Sequence, residues 1–328
     1  MNSKERVLTS LKGQKPDQVP FVELSFNMDI ARKIVGDDKP LTPENIVKYV
    51  GLDGYGESMY PQIYVNRQTD KDGRSYIVSG KIEEPEDMKM VDPGDFWKDD
   101  SKFDHFKRLA ETVGKEHFTF GATNIGLDPM LLNFGMDNFA YMLADEPQIV
   151  EKMLDIYCEW AANVVQKIQT TGVDAIWFTD DIAFNTSLMF SPEFFREVCK
   201  PRLKKVMDVI KLPVLYHSDG NISEVIPDLI DIGVSAIHPM EPGAVDIVEI
   251  KDTYKDKVCL VGNLDLRSTL VTSPVSAVRD EVFYLLENVG EKGGYIMSSS
   301  NSITDYCKPE NVKAIRPAIE EYYRLKNK

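Results

Sequence analysis

The chain contains 328 residues, enough to bury the core of one large domain or two ordinary ones, and its 43% hydrophobic and 28% charged residues are typical of a globular protein. A formal net charge of −15 argues against nucleic acid or an anionic membrane surface as the main partner. No stretch of about eighteen apolar residues, no signal-peptide core and no CxxC pair is present, so we expect a cytoplasmic protein without a disulfide scaffold or a zinc ribbon.

The N-terminal part predicts helices around one short strand. The segment Ser3–Lys12 has the pattern of a helix, and the run Val19–Leu24, which contains Glu23, has the pattern of a first strand. Two further short helices are predicted between residues 27 and 50, and Thr42 is the expected N-cap of the second.

Residues 51–100 have a different character. Loops rich in glycine, aspartate and tyrosine surround two alternating runs, Gln62–Arg67 and Ser75–Ile82, which are joined by the polar turn Asp70–Gly73. This pattern predicts a β-hairpin. We interpret the region as an insertion in a single domain that spans residues 1–328, with the hairpin acting as a flap near the ligand-binding end.

From about residue 117 onwards, apolar runs with strand character alternate with segments of helical periodicity, one of which predicts a helix over Asp128–Ala144. Counting the first strand, the apolar runs begin near residues 19, 117, 174, 213, 235, 258 and 294. Seven βα steps in one chain predict an α/β fold of the TIM-barrel type, a (β/α)8 barrel with an N-terminal helical and hairpin elaboration. No GxGxxG follows any of the runs, which argues against a dinucleotide-binding sheet.

The segment 173–221 is the chemical centre of this pattern. Its first apolar run ends in the carboxylate pair Asp180 and Asp181, and its second ends in the sequence HSDG at residues 217–220. A predicted helix separates the two runs, which makes a βαβ unit. Both strands of such a unit end at the same edge of a parallel sheet, and that edge carries the ligands and catalysts of α/β proteins. We therefore expect these side chains at the functional site.

Ionisable and amide side chains follow most of the predicted strands. They are Glu23, Asn124, Asp180, Asp181, His217, Asp219, His238, Glu241, Asn263, Asp265 and Asn301. Carboxylates and imidazoles around one mouth could hold zinc, iron or manganese. His217 is the better histidine candidate because a strand-end histidine has no capping role, whereas His238 is the weaker one. Asp181 and Asp265 are as readily explained as helix caps or loop carboxylates.

An ordered series of motifs resembles the uroporphyrinogen decarboxylase superfamily. The series consists of TDD at 179–181, SPEFF at 191–195, VLYHSDGN at 214–221, EPG at 241–243, GNLD at 262–265 and the closing run IMSSSNSITDYCKPENVKAI. The resemblance extends from about residue 115 to the C-terminus, and the opening run MNSKERVLTSLKGQKPDQVPF also matches the start of the family. The family fold is a (β/α)8 barrel with its site at the mouth, in agreement with the pattern of strands and helices.

One branch of that family, the decarboxylases, binds an acidic tetrapyrrole through an arginine-rich stretch after the first strand. This chain has Glu23 to Asp29 at that place and no arginine before Arg32. Arginine supplies the bidentate pairing that several carboxylates need. The C-terminal histidine of the decarboxylases is also replaced here, by Asn301. These departures argue against uroporphyrinogen decarboxylase-type carboxy-lyase activity, which we keep as an alternative.

The other branch comprises cobamide-dependent methyltransferases, in which a His-x-Cys pair and a distant cysteine bind zinc. The resemblance aligns His217 with the histidine, Asp219 with the first cysteine and Asn301 with the second. A thiolate-rich site is therefore excluded. An oxygen-rich site, completed by Asp181 or Glu241, would suit activation of an oxygen- or nitrogen-bound methyl group. A noncatalytic corrinoid- or tetrapyrrole-binding protein without a metal is a third alternative.

The resemblance thus predicts a methyltransferase that moves a methyl group from a small O- or N-methylated substrate to a corrinoid (cobalamin) held by a corrinoid protein, which is a demethylation. We assign catalysis to His217 and Asp181, and binding of a metal, with zinc as the candidate, to His217, Asp219 and Glu241. The predicted substrate-binding residues are Glu23, Trp177, Asp180, Tyr216, Asn263 and Asn301. We expect no nucleic acid or membrane partner, and a homodimer is compatible with the family.

Overall fold

A curled parallel sheet organises the computed structural model of the protein, which describes residues 1–71 and 73–327. Within these residues the strands are, in chain order, β1 (Gly54–Ser58), β2 (Val65–Thr69), β3 (Ser75–Gly80), β4 (Phe118–Thr123), β5 (Ala175–Thr179), β6 (Val214–His217), β7 (Ala236–His238), β8 (Cys259–Leu264) and β9 (Tyr295–Ser299). Seven of them form the parallel sheet in the order β1-β4-β5-β6-β7-β8-β9, and β2 pairs separately with β3.

Helices connect the strands of the sheet and cover its outer face. In chain order they are α1 (Ser3–Leu11), α2 (Met28–Val35), α3 (Pro43–Val50), α4 (Asp104–Glu111), α5 (Leu127–Phe134), α6 (Met136–Asp145), α7 (Pro147–Ile168), α8 (Pro192–Phe194), α9 (Lys200–Met207), α10 (Ile226–Asp231), α11 (Ile247–Tyr254), α12 (Val275–Asn288) and α13 (Pro309–Lys326). A π-helical turn, Phe195–Cys199, joins α8 to α9. None of the helices in the described part of the chain is long and apolar enough to cross a membrane.

The sheet is apolar on both faces, as a parallel sheet covered by helices requires. Every residue of β4, β6, β8 and β9 is buried. Alternate strand residues face the concave side and form a core of their own, to which α1 contributes Val7 and Leu11. Its strand residues include Phe120, Trp177, Leu215, Val261 and Ile296. The functional ends of the strands therefore rest on a packed layer of side chains.

Between the two outer strands of the sheet, β9 and β1, lies a short extended segment. Phe21 forms a parallel bridge to Met297 of β9, and Val22 forms one to Gly54 of β1. The predicted first strand, Val19–Leu24, is thus reduced to two bridging residues. The α/β part of the predicted (β/α)8 barrel is confirmed, in the form of a curled parallel sheet of seven strands.

Two features of the N-terminal half differ from the sequence-based expectation. β1 is a member of the main sheet, although its sequence lies in the region predicted to be inserted loops. The predicted helix from residue 128 to 144 is interrupted at Gly135, whose φ of 72° separates α5 from α6. The predicted hairpin is confirmed as the antiparallel pair of β2 and β3. Asp72, in its predicted turn, lies outside the described residues.

Candidate metal centre and substrate cavities

The strand register brings Asp181, His217 and Asp219 together. Thr179 at the end of β5 is paired with His217 at the end of β6. Asp181 and Asp219 follow their strands at the same edge of the sheet. The Nε2 atom of His217 lies 3.4 Å from Oδ1 of Asp181 and 3.9 Å from Oδ1 of Asp219. The predicted meeting of these two motifs at one edge of the sheet is thus present in the structure.

The ionisation of these side chains is coupled. Burial lowers the pKa of His217, but the hydrogen bond and charge of Asp181 outweigh burial and raise it. Burial raises the pKa of Asp181, but the hydrogen bond and the charge of His217 outweigh burial and lower it. The pKa of Asp219 is raised to about 6, chiefly by burial and also by the like charges of Asp181 and Glu241. The cluster therefore contains more negatively charged carboxylates than the single positive charge of the His217 imidazolium can neutralise.

This set of donors fits a divalent cation. One ligand atom from each of Asp181, His217 and Asp219 lies within 4.8 Å of the others. The Oδ1 atom of Asp219 is buried and has no hydrogen-bond partner, while its Oδ2 atom accepts from Nδ2 of Asn301 at 2.5 Å. A buried carboxylate oxygen without a donor is costly unless a cation satisfies it. Nitrogen and oxygen ligands in this combination suit zinc, iron or manganese.

Glu241 does not join this group, in contrast to the prediction that it binds the metal with His217 and Asp219. Its Oε2 atom accepts the N–H of Gly220 at 2.9 Å, so it supports the turn after β6. Among the described residues, the carboxylate that completes the cluster is that of Asp181. Asp181 had been predicted as a catalytic residue, and its side chain is 46% exposed.

His217 is held from its other side by His238. The two Nδ1 atoms are 2.8 Å apart, and β6 and β7 are in a register that pairs these two residues. Nε2 of His238 lies 3.4 Å from Oγ of Ser298, whose hydroxyl donates to Oε2 of Glu23 at 3.3 Å. A chain of polar contacts thus leads from the cluster to Glu23. Sequence analysis missed this role of His238, although a histidine at the end of each of two adjacent strands is a signal for it.

Glu23 lines a cavity of about 290 Å³ between the segment that follows Val22 and strand β1. Burial raises the pKa of this carboxyl to about 8, although the N–H and hydroxyl of Ser299 and the hydroxyl of Ser298 donate to it. The carboxyl is therefore mostly protonated at neutral pH when the cavity is empty. Glu23 therefore lines a cavity, and its role in binding substrate stays a prediction.

Asp180 has a structural position instead of the predicted one. Its side chain is fully buried and accepts three backbone N–H groups at the start of α5. The donors are those of Ile125, Gly126 and Asp128. With both carboxylate oxygens engaged, Asp180 fixes the loop between β4 and α5 and leaves no oxygen free for a substrate.

Three other predicted substrate-binding residues are also buried. Trp177 is 0% exposed and packs in the concave core, with its ring centre 5.2 Å from that of His238. The hydroxyl of Tyr216 donates to the backbone oxygen of Asp180 at 3.4 Å. Nδ2 of Asn263 donates to the backbone oxygen of Met240 at 2.6 Å. Of the predicted substrate-binding set, Glu23 lines the cavity described above and Asn301 donates a hydrogen bond to the cluster.

A second cavity, of about 330 Å³, opens beside Asp181. Its walls come from the hairpin and from the segments around α5 and the loop after β5, and they are mainly apolar. The lining residues include Ile77, Val78, Leu131, Met136 and Met189. The hairpin thus lines this cavity together with Asp181, at the end of the sheet where the sequence-based interpretation expected a flap.

Comparisons with known proteins place this geometry in a family. Residues 82–322 match the family model described as uroporphyrinogen decarboxylase (URO-D). A methylcobamide:CoM methyltransferase MtaA from Methanosarcina barkeri is 29% identical over 175 residues, which cover 53% of this chain and 50% of that protein. A uroporphyrinogen decarboxylase from Chlorobium limicola is 26% identical over 199 residues, which cover 57% of this chain and 54% of that protein. The chain thus spans about half the length of the curated relatives that it matches.

Solved structures share the fold over nearly the whole chain. A methyltransferase from Methanosarcina mazei superimposes with a TM-score of 0.78 at 21% identity and covers 98% of this chain and 99% of its own. A B12-independent methionine synthase from a Shewanella species superimposes with a TM-score of 0.55 at 13% identity, with 95% of each chain covered. At these identities the likeness concerns the fold alone.

Proposed function

The chain belongs to the uroporphyrinogen decarboxylase family, and we propose that it is a methyltransferase that moves a methyl group from a small O- or N-methylated substrate to a corrinoid held by a partner protein. The observation that carries this proposal is the cluster of Asp181, His217 and Asp219 at the ends of β5 and β6. The similarity to a methylcobamide:CoM methyltransferase supports the same reaction class.

The cluster would hold one zinc ion through Nε2 of His217 and a carboxylate oxygen from each aspartate. A zinc ion bound there would supply a Lewis acid, which makes an oxygen or an amine nitrogen that has a lone pair a better leaving group. A quaternary nitrogen has no lone pair and leaves as a neutral amine without this help. Asn301 donates to Asp219 and fixes the orientation of that carboxylate. This positions the unpartnered Oδ1 atom toward the centre of the cluster.

His238 sets the tautomer of His217. All hydrogen bonds in the chain are satisfied when Nδ1–H of His217 donates to Nδ1 of His238, Nε2–H of His238 donates to Ser298, and Ser298 donates to Glu23. Burial and the charge of His217 both lower the pKa of His238 well below its usual value, which keeps His238 neutral. Because Nδ1–H is donated to His238, the proton that the His217 imidazolium would give up to a metal is the one on Nε2, the atom that faces the two aspartates.

Uroporphyrinogen decarboxylation is the second candidate, because the chain also matches decarboxylases of its family. The cavity beside the first bridging segment opposes it. Glu23 and Glu57 line that cavity, and no lysine or arginine is among its described lining residues. A substrate with many carboxylates would find no cationic side chain to pair with there.

We further infer that the sheet closes into an eight-membered barrel, with residues 21 and 22 as the eighth member. The parallel bridges to β9 and β1 support this closure. So do the backbone hydrogen bonds from Val22 to Met297 and from Asp53 to Phe21. Slow hydrogen exchange at the amides of Val22 and Asp53, comparable to that of β4, is the expected result.

The activity is tested by mixing zinc-loaded protein with reduced cobalamin and a single methyl donor. The donors are a methoxylated aromatic, trimethylamine, choline and glycine betaine. Formation of methylcobalamin, followed by absorbance, is expected with at least one donor and is expected to be lost in His217→Ala. Turnover of uroporphyrinogen without methylcobalamin from any donor would instead establish the decarboxylase alternative.

A further inference from the structure

The cavity beside Glu23 combines aromatic residues with carboxyl groups. Its described lining includes Phe26, Tyr55, Tyr60, Glu23 and Glu57. The remaining lining residues are uncharged, so the described wall carries only acidic ionisable groups apart from the tyrosine hydroxyls. With a volume of about 290 Å³, the cavity is large enough for a small organic ion.

The conformation of β1 explains why Tyr55 and Glu57 act together. A Cβ atom on Gly56 would lie 2.1 Å from the ring of Phe120, so Gly56 faces the concave core. Because successive residues of a strand face opposite sides, Tyr55 and Glu57 share the other side. Burial, together with the charge of Glu57, raises the pKa of Tyr55 to about 12. Both side chains line the cavity, so the phenol and the carboxyl share one electrostatic environment.

Tyr60 connects the cavity to the strand that leads into the cluster. Its hydroxyl accepts a hydrogen bond from Oγ1 of Thr179 at 3.4 Å, two residues before Asp181. From the other wall, Glu23 reaches His217 through Ser298 and His238. The cavity therefore belongs to the same end of the sheet as the cluster.

We propose that this cavity binds a methylated ammonium ion that carries no carboxylate, such as choline or tetramethylammonium, and that this ion is the methyl donor of the proposed reaction. In that reaction one C–N bond would break as the bond between the methyl carbon and the cobalt(I) of the reduced corrinoid forms. The neutral tertiary amine would leave with the electron pair of the C–N bond. The inference rests on the proposed function for its role, although not for the binding itself. A methylated ammonium ion spreads its positive charge over apolar methyl groups. Aromatic rings and carboxylates are the groups that bind such a surface.

The positive residues near the cavity are compatible with this ligand. Burial raises the pKa of Glu57, whereas the charges of His105 and Arg108 on α4 lower it and are outweighed. Neither residue lines the cavity. A betaine would bring its own carboxylate toward Glu23 and Glu57, and we expect it to bind more weakly than choline for that reason.

The test is a calorimetric titration of the metal-loaded protein, without corrinoid, with choline, with 3,3-dimethyl-1-butanol and with glycine betaine. The alcohol is the neutral carbon analogue of choline. We expect choline to bind at least roughly tenfold more tightly than either of the other two, the range that cation–π and charge contacts produce together. Equal binding of choline and its neutral analogue, or no binding of choline, would overturn the proposal.

Variants assign the binding to this cavity. Tyr55→Leu and Glu57→Gln should each weaken choline binding roughly threefold to thirtyfold, and Tyr55→Phe, which keeps the ring, should weaken it far less. Tyr60→Leu provides a second ring variant at a residue that is 45% exposed, where folding is not at risk. Val78→Ser, in the apolar cavity beside Asp181, is the matched control and should leave choline binding unchanged. If Val78→Ser weakens choline binding and the tyrosine variants do not, the assignment to this cavity is wrong.

The two proposals fail in different ways. If methoxylated aromatics yield methylcobalamin while choline does not bind, the methyltransferase function stands and the ammonium site is rejected. If choline binds with the expected variant effects but no donor yields methylcobalamin, the ammonium site stands and the methyltransferase function is rejected.

Discussion

His217 and His238 face each other through their Nδ1 atoms at a distance of 2.8 Å. Only one of two neutral rings can place a proton between these atoms, so each ring determines the tautomer of the other. Because the hydroxyl of Ser298 donates to Glu23, its oxygen accepts Nε2–H of His238, and the shared proton then belongs to His217. In its neutral form the ring of His217 then offers the lone pair of Nε2, which faces the two aspartates, to a metal.

We therefore predict that His238→Phe lowers zinc affinity roughly tenfold to a hundredfold, the usual effect of removing the partner that orients a ligating histidine. The phenyl ring preserves the packing against Trp177 but cannot accept the proton of His217. Zinc affinity is measured by competition with a chromophoric chelator. Unchanged affinity, in a variant whose unfolding transition matches the wild type, would contradict the assigned tautomer.

Variants at Asp219 and Glu241 distinguish the ligand set found in the structure, which contains Asp181, from the predicted set, which contains Glu241. Asp219→Asn removes the charge of the carboxylate that has an unpartnered buried oxygen, so zinc binding should fall to below about a tenth of the wild-type affinity. Glu241→Gln keeps an oxygen that can accept from Gly220 and should bind about one zinc ion per chain as the wild type does. Metal analysis after dialysis measures both. Loss of zinc in Glu241→Gln would restore the ligand set predicted from the sequence.

Asp180 should matter for stability and not for metal binding. Asp180→Asn leaves one acceptor oxygen and an amide that cannot accept the N–H groups at the start of α5, so we expect a loss of about 1–3 kcal/mol in the free energy of unfolding. Urea unfolding measures the loss. Asn124→Ala, at the neighbouring position, serves for comparison because its side chain does not accept these N–H groups. A variant as stable as the wild type would show that Asp180 is not the cap of this helix.

Sequence analysis predicts those parts of the site that depend on local sequence and misses those that depend on contacts with distant elements of the fold. Apolar runs ending in polar residues identified the edge that bears His217 and Asp219, because parallel strands place their carboxyl ends together. The different directions of Asp180 and Asp181 follow from the loop conformation after β5, which no spacing reveals. Strand β1 was missed because its sequence, GYGES, contains only one large apolar residue.

The cavity beside Glu23 could not be predicted for a related reason. Its walls come from the segment after Val22 and from β1, which are bridged at Val22 and Gly54. Tertiary packing decides whether these two segments continue to pair after that bridge or separate and leave a cavity. Glu23 itself could be predicted because a carboxylate within a predicted strand is unusual.

Glu23 should make the stability of the protein depend on pH. Its pKa is about 8 in the folded protein, raised by burial, against an ordinary value of 4.5 that we take for the unfolded chain. A raised folded pKa means that the folded state holds the proton more tightly. The resulting stability is fully present below about pH 4.5 and is lost as the pH rises toward and through 8. At about 1.4 kcal/mol per pKa unit, the loss is on the order of several kcal/mol at most.

Glu23→Gln isolates this contribution, because the amide resembles the protonated carboxyl and does not ionise. Its carbonyl can accept the N–H of Ser299, and its NH2 group can donate to the serine hydroxyls that Glu23 contacts. Urea unfolding of both proteins between pH 5 and pH 9 should give similar free energies at the acidic end and a growing advantage for the variant toward the alkaline end. Parallel curves over this range would mean that Glu23 ionises in the folded protein as readily as in the unfolded chain. In that case the Glu23 carboxylate would be charged in the folded protein at neutral pH before any cation binds in the cavity.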